Sequence, residues 1–154
     1  MSALAALDRL FGKWQGTNQL WLYPWDPVHQ SDTWAEIAVT AQGQFSELRY
    51  AWAYEGEPQE GKVILGFEAG SGVVKAVWFD TWHMANDFMI CAGELDPEGT
   101  VCIRGSYPAP EGPDWGWQIS IETWDKDAFR MLMHNITPAG EEFLAVEAAY
   151  HRQE

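Results

Sequence analysis

Apolar and polar residues alternate along most of this chain, and the alternation restarts after each cluster of Gly, Pro, Asp or Asn. A period of two is the mark of a half-buried β-strand. The first such stretch sets Trp14, Gly16, Asn18 and Leu20 against Lys13, Gln15, Thr17 and Gln19. Residues 33–41 set Ala35, Ile37 and Val39 against Trp34, Glu36 and Thr40, and Gln42-Gly43 turns the chain. Residues 45–55 carry Leu48, Tyr50, Trp52 and Tyr54 on one face. Residues 62–68 put Val63, Leu65 and Phe67 inward, and residues 73–82 put Val74, Ala76, Trp78, Asp80 and Trp82 on the face opposite Lys75. Further strands are predicted at 88–96, 100–107, 115–124, 129–137 and 143–152. That makes about ten strands, the spacing of an all-β barrel. Ahead of them, residues 2–11 predict a short helix. Ser2 is its cap, Leu4, Leu7 and Phe11 its apolar stripe, and Gly12 its C-terminal stop.

The stretch 88–107 fixes a register. Asp96-Pro97-Glu98-Gly99 fits a type I turn followed by a left-handed Gly and its bulge. Asp96 then pairs with Thr100, Cys102 lies opposite Glu94, and Cys91 lies opposite Gly105. The two thiols point to opposite faces, and no disulfide is expected. A two-residue loop pairing Asp96 with Gly99 would instead put both thiols on one face.

Gly12-x-Trp14-x-Gly16 between a short helix and a run of strands, with Tyr23-Pro24 downstream, resembles the calycin superfamily. It is most similar to the nitrobindin-like and fatty-acid-binding-protein-like group and to a related bacterial family of unknown function. The resemblance implies a single antiparallel up-and-down barrel with an interior site for an apolar ligand. It implies that the N-terminal helix plugs one barrel end. It also implies that Arg152, on the last strand, stacks on Trp14, a closure contact worth ~0.5–2 kcal/mol. Gly12, Trp14, Gly16 and Arg152 are therefore structural residues. In the nitrobindin-like group an axial His on the last strand binds haem. Ala145 stands at that position here and His151 falls about six residues later, so haem is disfavoured and no other cofactor is indicated.

The chain has 154 residues, a net charge of −14 and 47% hydrophobic residues. That composition fits one domain over residues 1–154, with no repeat or linker to divide it. The charge argues against nucleic acid, whose phosphates need cations, and against an anionic membrane surface. With no basic-then-apolar leader and no apolar run of membrane length, the expectation is a cytoplasmic protein. Ten Trp are many for this length. They fill a barrel or line a pocket, and composition does not separate the two.

The densest polar and aromatic cluster is Trp78-Phe79-Asp80-Thr81-Trp82-His83-Met84. Asp80 shares the inward face and needs partners there, from an Arg, a His or a Tyr hydroxyl. It is either the polar anchor of a ligand or a carboxylate tied to backbone amides at a strand end. The candidate ligand-binding residues are Tyr50, Trp52, Trp78, Asp80, Trp82, His83, Met89, Met133 and His134. His134 faces solvent or the cavity according to register. The His residues lack ligand spacing, so no metal site is expected. Three functions remain: binding or carrying a small, mainly apolar ligand; a small barrel enzyme with Asp80 and His83 as acid–base groups; and a homodimer or larger assembly joined through its Trp-rich rim.

Overall fold

The computed structural model describes residues 7–68 and 71–153. Ten strands follow one another: β1 (Gly12–Leu20), β2 (His29–Thr40), β3 (Phe45–Tyr54), β4 (Glu57–Phe67), β5 (Val73–Asp80), β6 (Met89–Leu95), β7 (Val101–Tyr107), β8 (Trp115–Asp125), β9 (Ala128–Ile136) and β10 (Glu142–Arg152). Each pairs antiparallel with its neighbours in sequence, and β1 also pairs with β10, so the sheet closes into an up-and-down barrel. Closure removes the unpaired edges that an open sheet would expose.

The alternation places the core. Ala35, Ile37, Leu48, Val63, Leu65, Val74, Ile103, Ile119 and Ile121 are all buried inside the barrel. Val39 is the exception: it shares the parity of Ile37 but lies at the rim and is exposed. β4 starts at Glu57, earlier than its apolar alternation, because Glu57, Pro58, Gln59 and Glu60 pair by backbone alone with Tyr54, Ala53, Trp52 and Ala51. The two-residue link Glu55-Gly56 has positive φ at both positions, the geometry of a tight hairpin that matches strand twist.

The 96–99 turn has the bulged form. Asp96 N–H donates to the Thr100 carbonyl at 3.0 Å, Gly99 has a φ of 90°, and Glu94 lies opposite Cys102. Cys91 is buried, Cys102 is on the other face, and both are free thiols.

The two barrel ends differ. At one end lies the N-terminal segment, of which residues 1–6, including Ser2 and Leu4, fall outside the described residues. The described part is Leu7, in helical conformation, followed by a 3-10 turn, Asp8–Leu10. Leu7 and Leu10 are fully buried beneath it, while Phe11 is only half-buried. Gly12 is not a helix stop; it opens β1 with a φ of 130°, and a Cβ there would lie 2.9 Å from Arg152 Nη1.

Trp14 organises this closed end. Its indole N–H donates to the Leu10 carbonyl at 2.8 Å, and its ring meets Phe129 edge-on at 4.8 Å. The Arg152 guanidinium lies 4.3 Å from the Trp14 ring centre. The same guanidinium donates to the carbonyls of Phe11, Arg9 and Lys126. One side chain therefore ties the first strand, the last strand and the β8–β9 turn together. The other end carries the connections 21–28, 55–56, 81–88, 108–114 and 137–141 and is the loop end.

The β1–β10 seam depends on Gly16. A Cβ there would lie 1.8 Å from the Ala149 carbonyl oxygen and 3.0 Å from the Tyr150 Cα, both backbone atoms that cannot turn away. Gly16→Ala should lower unfolding stability by about 1–3 kcal/mol, the ordinary range for overpacking. Urea unfolding checks this, and an unchanged midpoint would contradict it.

Candidate functional site

β5 ends at Asp80, and the reason is chemical. Asp80 Oδ1 accepts from the backbone N–H of Trp82 at 2.8 Å and of His83 at 3.0 Å. Its own carbonyl accepts from Met84 N–H at 2.8 Å. An Asp that captures amides two and three residues ahead replaces the strand ladder with a turn. Residues 81–88 therefore leave the sheet and cross the loop end.

The other carboxylate oxygen is also engaged. Oδ2 accepts from Tyr50 Oη–H at 2.7 Å and from Trp52 Nε1–H at 3.1 Å. Tyr50 Oη in turn accepts from Trp78 Nε1–H at 3.0 Å. Gly61 makes room for this contact, because a Cβ there would lie 2.2 Å from the Tyr50 hydroxyl oxygen. Asp80 is 1% exposed. Its four acceptor positions are all taken, so none is left for a ligand. The Arg side chains considered as partners make none of these bonds; a Tyr hydroxyl, a Trp N–H and two backbone amides do. Burial, and then the charge of Asp80, hold the Tyr50 hydroxyl well above its ordinary pKa.

His83 follows Asp80 into a box of rings. Its imidazole centre lies 5.8 Å from Trp52, 5.6 Å from Trp78, 4.7 Å from Trp82 and 5.3 Å from Trp117. Desolvation in that box lowers its pKa, against the opposing pull of the Asp80 charge. His83 gives Asp80 its backbone N–H, and neither ring nitrogen is hydrogen-bonded to Asp80. The acid–base pair considered from sequence is not assembled.

Beside His83 lies a cavity of ≈ 360 Å³ lined by Trp78, His83, Met84, Asp87, Met89, Tyr107, Trp117 and Asn135. Trp78 and Trp117 stack at 5.3 Å with an interplanar angle of 12° and form one wall. The Tyr107 hydroxyl donates to Asn135 Oδ1 across the floor. Trp117 is 5% exposed, and its indole N–H is buried without an acceptor. A second recess of ≈ 280 Å³ shares Asn135 and runs toward Trp21, Tyr23, Trp25 and Ala145. Tyr23 and Trp25 stack at 5.5 Å on its lip, with Trp25 exposed. A wider recess of ≈ 1080 Å³ lies outside the barrel, between Lys13, Asp32, Trp34 and Arg49. It is an open groove on the outer sheet face, lined by apolar as well as charged side chains.

The residues named from sequence divide three ways. Trp78, His83 and Met89 line the cavity. Tyr50, Trp52, Asp80 and Trp82 stand behind it, the first three in the hydrogen-bonded cluster and Trp82 against Tyr54, Trp52 and His83. Met133 is core, between Ile119 and Val146. His134 is a correction: it points out of the barrel, opposite Gln118 and Leu144, because its neighbour Met133 points in. Sequence reasoning missed Met84, Asp87, Tyr107, Trp117 and Asn135. Trp117 was findable, since it alternates with Ile119 and Ile121. Met84 and Asp87 sit on a loop without period. No group of three or more metal-ligating side chains occurs among the described residues. No helix there is long and apolar enough to cross a membrane.

A family described as "Protein of unknown function (DUF1579)" matches residues 2–152. No curated protein is similar to the chain in sequence. Among solved structures, the barrel is similar to Rv2717c from M. tuberculosis, at 18% identity and a TM-score of 0.66, over 99% of this chain and 98% of that one. It is also similar to the S-type phycobiliprotein lyase CPES from Guillardia theta, at 12% identity and a TM-score of 0.68, over 100% and 94%. At these identities the likeness is one of fold, a calycin-like barrel.

His83 makes stability depend on pH. A base whose folded pKa lies below its ordinary 6.5 contributes fully above 6.5, and that contribution is lost as pH falls through it toward the folded pKa. Between about pH 7.5 and about pH 5.5 the parent protein should lose more thermal stability than His83→Gln, in which carboxylate effects are shared. Parallel losses would contradict the buried neutral imidazole.

Proposed function

The chain belongs to the DUF1579 family, and for this barrel we propose the role of holding a small, mainly apolar, ring-bearing ligand in the loop-end cavity. One observation carries the reading. Two stacked Trp rings, Trp78 and Trp117, form a cavity wall. A flat aromatic body laid against such a wall gains about 0.5–1.5 kcal/mol beyond its buried area. The volume of ≈ 360 Å³ suits a body of two or three rings and falls in the range of small-molecule sites. The calycin-like fold gives such a cavity an ordinary place, at the mouth of a barrel.

Binding is favoured over catalysis by the state of the titratable groups. Asp80 is saturated with donors, and His83 is held neutral without bonding to it. The position that an iron-binding His would need is the methyl group of Ala145, on the wall of the second recess. The same reading treats the chain as one domain acting in the cytoplasm.

The uncharged naphthalene dye prodan tests the reading. Its emission should shift to the blue saturably on titration. Trp117→Ala should weaken its binding about tenfold, a loss of ~1.4 kcal/mol, while Trp124→Ala should not. Trp124 is 61% exposed on the outer face, under Arg130. Equal effects of the two variants, or no saturable signal, would contradict the reading.

A further inference from the structure

The distribution of charge around the cavity goes further than its shape. The five loop-end connections hold six carboxylates: Asp26, Glu55, Asp87, Glu111, Asp114 and Glu141. They hold no Lys or Arg. Of the nine Lys and Arg, five lie on the outer face of the barrel in ion pairs: Arg49, Lys62, Lys75, Arg104 and Arg130. The other four, Arg9, Lys13, Lys126 and Arg152, are at the closed end. The chain thus surrounds the cavity mouth with one sign of charge.

Resting on the carrier reading above, we propose that the ligand is an organic cation: an aromatic ring body bearing an ammonium or comparable positive group. Three features converge on this. Trp78 and Trp117 line the cavity, and an indole attracts a cation that reaches its ring face, most strongly when water is excluded. Asp87 lines the cavity, and the one hydrogen bond to its carboxylate among the described residues comes from Phe88 N–H to Oδ1. Its second oxygen is free to face a positive group. Behind the wall, the Asp80 carboxylate is held by four hydrogen bonds and by no cation. A net charge of −14 adds a long-range field that draws cations to the mouth.

An anionic ligand meets the reverse. A carboxylate or phosphate placed here would find Asp87 and no Lys or Arg among the lining residues. Its charge would be desolvated without a partner, which is costly. The apolar ligand expected from the resemblance is thereby narrowed: a fatty acid's body would fit the rings, but its head group would not suit the mouth.

Three naphthalene probes of one size decide the matter: (2-naphthylmethyl)trimethylammonium, 2-naphthylmethanol and 2-naphthoate, titrated calorimetrically into the full chain at low and high salt. The cation should bind about tenfold tighter than the alcohol, and the naphthoate more weakly than either. Salt should weaken the cation's binding most. Asp87→Asn should reduce the preference for cation over alcohol. If the alcohol binds as tightly as the cation, or the naphthoate binds best, the charge assignment is overturned and the carrier reading stands. If none of the three binds, the carrier reading fails and this inference falls with it.

Discussion

A carboxylate buried without a cation holds the loop end of this barrel together. Leaving Asp80 unpaired in the interior would cost several kcal/mol, enough to unfold a small domain. Four donors prevent that, and they come from two places: Tyr50 and Trp52 on β3, and the amides of Trp82 and His83 on the loop after β5. Hydrogen bonds to a charged group contribute roughly 1.5–3 kcal/mol each. The cluster therefore sets where β5 stops, how the 81–88 loop turns, and which way Trp52 and Trp78 present their rings. His83 enters its aromatic box because its own amide is one of the four donors. The cavity wall inherits its order from that chain of contacts.

The barrel's two ends are built by different physics. The closed end is a packing and cation–π assembly in which Leu7, Leu10, Trp14, Phe129 and Arg152 fill the opening and bind the termini together. The loop end has no such plug. Its connections are longer, its apolar side chains Tyr23, Trp25 and Phe88 stay exposed, and Trp117 beside its cavity keeps a buried N–H without an acceptor.

The strands were legible because burial in a barrel has a period of two, and Leu48, Val63, Leu65 and Val74 all carry it. The start of β4 was not, since Glu57 to Glu60 pair through backbone only and leave no mark in side-chain type. The Gly12-x-Trp14 pattern led to the closed end, and Arg152 could be placed over Trp14 before any geometry was known. The site was half legible. Trp78, His83 and Met89 were found because they flank one strand end. Asp80 looked the same from sequence whether it served a ligand or the backbone, and only its four short contacts separate those roles. His134 was misplaced because adjacent positions on a strand face opposite ways, so it could not join Met133 inside. Met84, Asp87 and Asn135 reach the cavity through tertiary placement that local pattern does not encode.

The methionine methyl groups report on the cavity most directly. Met84 and Met89 line it, while Met131 and Met133 are buried in the core beyond its lining. With methyl-labelled methionine, titration with an aromatic probe should move the Met84 and Met89 resonances by ring-current shifts and leave Met131 and Met133 in place. Shifts confined to Met131 and Met133, or none at a saturating probe concentration, would contradict a ligand site at the loop end.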